Sequence, residues 1–226
     1  MARPEPHPRT WHGRVGDAEV HLVGTIQGLA GESELVEFAW KEGFPGRMPD
    51  AVAVGVPEED VKNLVRIGDE GKESFLEEEL DTGSYEESLL PQLARFGAIA
   101  VPPDDLVAAE RLARETDTPL AALDLSDHEH ADLYVQLVSG LQMIRGQMRL
   151  RKFTGGRAED ADSPEELMLQ WDRVLTDIKG YRKLEEAREE RMAEGIKHLI
   201  DEQGKRRVLG VVPYARLPGV AERLSG

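Results

Sequence analysis

Apolar and polar positions along the chain fall into short runs that switch between strand and helix spacing. Trp11 to Val15 and Glu19 to Thr25 flank Gly16-Asp17, which predicts a hairpin entering a sheet. A helix follows from about Glu32 to Glu42, with Leu35, Val36 and Ala39 on one face and Gly43 and Pro45 as its stop. Asp50 to Val56 is a continuous apolar run of strand length, the pattern of a central strand covered on both faces. Pro57-Glu58-Glu59-Asp60 opens the next helix, its acids at the positive end of the dipole. Helices are expected around Tyr85–Phe96 and over Pro103 to Thr116, and a third apolar strand over Pro119 to Leu125, carrying Asp124 at its end.

One long helix is expected from Asp127 to about Leu150, then a break at Gly155-Gly156 and an acidic linker. Ser163 caps the next helix and Pro164 takes its first position. Two helices cover about 164–178 and 181–203, Arg207 to Val212 is the last strand, and a final helix starts near Leu217. The alternation gives an α/β fold with a central mixed, mostly parallel sheet flanked by helices. A helical insertion, about 127–203, precedes the last strand. The chain reads as one domain over 1–226, with 1–126 and 204–226 as sheet core.

Composition narrows the function classes. Apolar residues make up 40% of 226, enough for a sizeable core, and no apolar run is long enough to span a membrane. Met1 to Thr10 is polar with three prolines, unlike a secretory signal, so a cytoplasmic protein is expected. The absence of cysteine removes disulfides, thiolate metal sites and a thiol nucleophile. The net charge of −16 disfavours nucleic acid and membrane as partners, and the three tryptophans are too scattered for a base-stacking platform. With 8 Lys against 20 Arg, the acidic surface is that of a protein from salt-rich cytoplasm, although high genomic G+C gives the same arginine bias. Glu70 to Glu87 is strongly acidic and reads as a solvated loop or frayed helix.

Four blocks carry candidate chemistry. Val20-His21-Leu22-Val23-Gly24-Thr25-Ile26-Gln27 is an apolar strand running into a Gly-Thr turn with Gln27 at its tip. The others are Pro49-Asp50-Ala51-Val52-Ala53-Val54-Gly55, Pro119-Leu120-Ala121-Ala122-Leu123-Asp124, and Ala187-Arg188-Glu189-Glu190-Arg191-Met192-Ala193. After the last comes Gly204 to Val212 and then Pro213-Tyr214-Ala215-Arg216-Leu217-Pro218-Gly219. In this order the blocks resemble the TraB family and its TIKI-type and EreA/ChaN-like relatives. The resemblance implies an α/β fold, hydrolase or peptidase chemistry, and a divalent metal if that activity is retained. It also implies a histidine where Gln27 stands, a glutamate at Gly55 and at Ala187, and a histidine at Arg216. Gln27 cannot shuttle protons near neutral pH and binds transition metals poorly. Gly24, Thr25, Asp124, Arg188 and Gly219 keep the expected pattern, as a retired or repurposed site would.

The expected reading is therefore a catalytically degenerate protein with a binding or regulatory role and no cofactor. Its arginine-lined cleft would comprise Gly24, Thr25, Gln27, Gly55, Asp124, Arg188 and Arg216 at the carboxyl ends of the strands. A small anionic ligand or peptide is the expected partner. The alternatives are a hydrolase using Asp124, Gln27 and His128 or His130, and a structural homo-oligomer. His128 and His130 are weak metal candidates, because residues two apart do not share a helix face. His21 reads as a packed strand residue and His198 as solvated. Between Leu133 and Ala158 the chain has no acid but carries Arg145, Arg149, Arg151, Lys152 and Arg157. Arg145 and Arg149 share a face and form a candidate anion clamp, weighed against pairing with the protein's surplus carboxylates. Leu133, Leu137, Leu141, Met143, Ile144 and Met148 form an apolar stripe, read as core and also as a surface for a homodimer.

Overall fold

The computed structural model describes residues 9–70, 84–155 and 161–226. Its centre is a five-stranded sheet of order β1-β2-β5-β3-β4. Strands β1 (Thr10–Val15) and β2 (Ala18–Thr25) form the antiparallel hairpin around Gly16-Asp17. Strands β5 (Arg207–Pro213), β3 (Ala51–Val54) and β4 (Leu120–Ala122) continue in parallel from β2. The fold is of the expected α/β class, and the last strand in sequence inserts between the first hairpin and β3.

Helices cover both faces, which is why the central strands read as continuous apolar runs. On one face Val20, Leu22, Ala51, Ala53 and Val212 pack against α8 (Lys179–Asp201) and α9 (Leu217–Ser225). On the other, Val23, Val52, Val54, Leu209 and Val211 meet α1 (Glu32–Glu42), α2 (Glu58–Glu70) and α4 (Asp104–Glu115). A third core lies beyond the carboxyl ends of the strands. There Ile26 and Leu29 meet α3 (Ser84–Leu93), α6 (Gly140–Thr154) and α7 (Pro164–Thr176) through Leu89, Leu93, Leu150, Phe153, Leu167 and Trp171. Among the described residues no helix is long and apolar enough to cross a membrane.

The insertion differs from expectation in one respect. The single helix expected from Asp127 to Leu150 is two, α5 (Asp127–Leu137) and α6, separated at Val138-Ser139. Ser139 and Gln142 form a reciprocal capping box that restarts the helix, while Val138 turns inward onto Ile178 and Tyr181. Ser163 caps α7 through the Glu166 amide, with Pro164 in its first turn as expected. The C-terminal half of α8 returns to the sheet through Met192, Ala193, Ile196 and Leu199. The expected Glu70–Glu87 loop falls largely outside the described residues.

Two buried ionisable groups bear on stability. His21 lies enclosed on β2, stacked on the His12 ring at 5.5 Å, and burial lowers it to about 4, so it is neutral at physiological pH. Asp105, in the first turn of α4, is fully buried, and burial pushes its carboxyl up to about 6. The Thr25 hydroxyl and Leu106 amide oppose that rise, while Glu32 and Asp104 add to it. A carboxylate that ionises less readily folded than unfolded destabilises the fold once pH exceeds its ordinary value. The penalty is absent below about pH 4, grows through about pH 6, and reaches about 3 kcal/mol above that. Asp105→Asn should therefore gain about 2–3 kcal/mol on the native protein between pH 4 and pH 7.5. Urea unfolding at both pH values measures this, and parallel curves would contradict it.

Candidate functional site

The parallel strands deliver their following loops to one end of the sheet, where α5, α7 and α8 wall a cavity of about 390 Å³. Its polar lining comes from Gln27 after β2, Asp124 after β4, Arg216 after β5 and Arg188 on α8. Asp172, Glu185, Asp127 and His130 add further polar groups, and Met168, Trp171 and Leu175 make the apolar wall.

Local backbone pairing sets each position. Leu123 N donates to Val54 O at 2.9 Å and Asp124 N to Val56 O at 3.3 Å, prolonging the β3–β4 ladder and holding Asp124 at its end. A 3-10 turn at Tyr214–Arg216 carries Arg216 from the end of β5 into the mouth of the cavity. Gly24 admits this turn closely: a Cβ there would lie 3.2 Å from Tyr214 Cα and 3.1 Å from Leu217 Cδ2. Arg9 ties the same end together. It donates to Gly24 O at 2.9 Å, pairs with buried Glu32, and reaches Glu165 at the start of α7 at 3.3 Å.

The two guanidiniums are engaged by protein carboxylates. Arg188 donates to Asp124 through Nε at 3.1 Å and Nη2 at 2.5 Å, and to Glu185 through Nη1 at 2.9 Å. Arg216 pairs with Asp172, with Glu189 at 2.9 Å, and with Glu185 at 3.5 Å. Burial works against the Arg188 charge, but Glu185 and Asp124 outweigh it and hold the group above its ordinary value. Burial lowers Arg216 to about 10 against the pull of Asp124, so it remains a cation at physiological pH. Glu189 is raised by burial and steadied by Arg223 at 2.8 Å. The cavity lining holds four carboxylates against two arginines. The Gln27 side-chain nitrogen is enclosed and meets no hydrogen-bond partner among the described residues.

Of the expected cleft residues, Gln27, Asp124, Arg188 and Arg216 come together in the lining. Gly24, Thr25 and Gly55 are not lining residues. Thr25 is buried beside Asp105, and a Cβ on Gly55 would lie 2.7 Å from Pro213 Cδ and 3.2 Å from Val212 Cα. The expected arginine-lined character is thus offset by acids from α7 and α8. Asp172, Glu185 and Glu189 were not singled out in the sequence, although Glu185 and Glu189 share a helix face with Arg188 between them. His130 reaches the cavity and stacks on Tyr134 at 6.4 Å, whereas His128 is exposed and pairs with Asp132 at 3.8 Å. Arg145 and Arg149 lie together on a different groove, and Arg157 lies outside the described residues.

The divalent metal that the family resemblance implies does not fit these residues. Its three expected ligand positions hold an amide, a glycine without room for a side chain, and a guanidinium, while Asp124 is committed to Arg188. Among the described residues no group of three His, Asp or Glu side chains is arranged to hold a metal ion.

Arg216→Met should destabilise the fold by about 3 kcal/mol at neutral pH, because Asp172, Glu185 and Glu189 lose their shared counter-ion. The deficit should shrink in acid as Glu189, whose carboxyl burial already holds above its ordinary value, takes up a proton, and equal losses at neutral and acid pH would refute the network's role. Gly55→Ala should cost about 1–3 kcal/mol by overpacking against Pro213 and Val212, read as a lower urea midpoint at unchanged slope. No family model matches the chain, and no curated protein matches it.

Proposed function

We propose that the protein is a non-catalytic binding protein of the TraB-like kind, whose cleft at the strand ends takes a small ligand bearing an amine. The carrying observation is that both cleft arginines already donate to protein carboxylates, leaving the lining with four acids against two cations. An anionic ligand would have to displace those carboxylates and then face them unpaired, which is costly in a partly buried site. An ammonium group instead gains from Asp127 and the surrounding acids, with Met168, Trp171 and Leu175 covering an apolar body. The enclosed Gln27 nitrogen calls for an acceptor, which a neighbouring carbonyl would supply. An amine next to a carbonyl is the chemistry of a peptide amino terminus or an amino-acid amide.

A hydrolase with an altered residue set is the second reading, favoured by one feature, the presence of His130 beside Asp127 in the cleft lining. Asp124, the acid that reading would use, is held by Arg188 through both Nε and Nη2, which leaves it poorly placed as a general base.

Thermal unfolding with amino-acid amides and short free-amine dipeptides tests the proposal against their N-acetylated forms and against phosphate and citrate. The free amines should stabilise the protein by about 2.7 kcal/mol at a hundredfold excess over Kd. N-acetylation or Asp127→Asn should remove the effect. Stabilisation by phosphate or citrate alone would reverse the ligand's sign, and release of amino acids from the dipeptides would establish the hydrolase.

A further inference from the structure

The outer face of the insertion carries a second feature unrelated to the cleft. Leu141, Ile144 and Met148 stand on one face of α6 at spacings of three and four, and are 81%, 61% and 68% exposed. Val135 on α5 is 78% exposed. Leu141, Ile144 and Met148 belong to the stripe read as core and also as a homodimer surface; α6 buries its other face, through Gly146, Leu150 and Phe153, and turns these three to water. Scattered exposed apolar residues are ordinary, but three in register over two helical turns make a seam.

Charge runs beside the seam. Arg145, Arg149 and Lys152 line a furrow of about 340 Å³ with Leu141, Ile144 and Met148. Arg149 and Lys152 also border a groove of about 510 Å³ between α6 and α7, whose far side carries Arg173, Gln170 and Val174. Among the described residues lining these two grooves Asp177 is the one acid, and it pairs with Arg149 at 3.3 Å. Arg145, Lys152 and Arg173 pair with no carboxylate among the described residues. On a chain of net charge −16 this is a local reversal of sign.

We infer that this face of α6 is the docking surface for an acidic amphipathic helix of a partner protein. Apolar residues of that helix would cover the seam, and its carboxylates would meet Arg145, Arg149, Lys152 and Arg173. Helix-on-helix recognition uses such a stripe of anchors at three- and four-residue spacing with charges on the flanks. Charge complementarity selects the occupant. Arg145 and Lys152 are seven residues apart on one flank of the seam, so antiparallel self-pairing along α6 would bring like charges together. An anionic membrane would meet a seam only about 10 Å long on an otherwise acidic protein, too little apolar length to anchor it.

The test uses a fluorescently labelled synthetic helix with leucine at every third or fourth position and glutamate between, beside a twin carrying lysine for glutamate. Fluorescence anisotropy on the full chain should show the glutamate peptide binding at least about tenfold more tightly than its twin. Ile144→Asp, and separately the pair R145E and K152E, should each weaken binding about tenfold while leaving the unfolding temperature unchanged. Raising salt from about 50 mM to about 500 mM should weaken it similarly. Equal affinity for both peptides would overturn the proposal. So would sedimentation at twice the 25.1 kDa chain mass that Ile144→Asp returns to monomer, which would assign the face to a second copy. Capture by phosphatidylglycerol vesicles lost in Ile144→Asp would assign it to a membrane.

Discussion

Arg216 is the constraint on which the functional end of the molecule depends. Its guanidinium stands where β5 ends and gathers carboxylates from two helices, Asp172 of α7 and Glu185 and Glu189 of α8. Those half-buried acids would otherwise repel one another close to Asp124, where water screens them only in part. Arg188 completes the arrangement by tying α8 to the loop after β4. The outer wall of the cleft is therefore fixed to the sheet by ion pairs whose loss would leave several half-buried like charges close together. The same pairing consumes the donors a bound anion would use, so the contacts that shape the cleft also set which ligand charge it favours.

The backbone beneath the cleft is equally committed. Gly55 faces Pro213 and the Val212 backbone so closely that even a methyl group would force a shift, and β3 and β5 leave no place for a glutamate. At Gly219 a Cβ would instead meet the Glu189 carboxylate, the end of a side chain that Arg216 and Arg223 hold there. Behind β2, Asp105 is buried next to Thr25 at a cost in stability at neutral pH, which the surrounding packing must offset. A site whose polar groups are held in this way resists a change in chemistry by single substitution.

The architecture was legible because its signals were redundant. The runs at Ala51–Val54 and Arg207–Val212 could be buried strands and little else, and Ser163-Pro164 marked a helix start by two independent cues. The division between α5 and α6 was missed because apolar spacing continues across it, from Leu137 to Leu141, and outweighs the local cue. That cue was present in Ser139-x-x-Gln142, a capping box in the middle of an apparently uninterrupted helix. The cleft was half legible. Gln27, Asp124, Arg188 and Arg216 follow strand ends and one helix block, whereas Asp172, Glu185 and Glu189 sit among so many acids that sequence spacing does not distinguish a buried counter-ion from a solvated one. Periodicity says which residues share a face, but not whether that face meets protein or water, and Leu141, Ile144 and Met148 show the difference.

Arginines in this acidic chain have two contrasting fates, and burial separates them. Arg216, with 7% of its side chain exposed, cannot rely on solvent and is surrounded by three carboxylates. On α6 the cations stay at the surface, where water meets most of their solvation and an ion pair contributes little. Surplus acid is available everywhere on the molecule, so a shortage of partners does not explain why Arg145 and Lys152 lack them. The reason is geometric: α6 carries no acid of its own, and among the described residues lining the grooves beside its basic flank the one acid is Asp177. A helix free of acids, basic along one flank and apolar along the next, is poorly matched to the remainder of this surface and well matched to a helix of opposite charge.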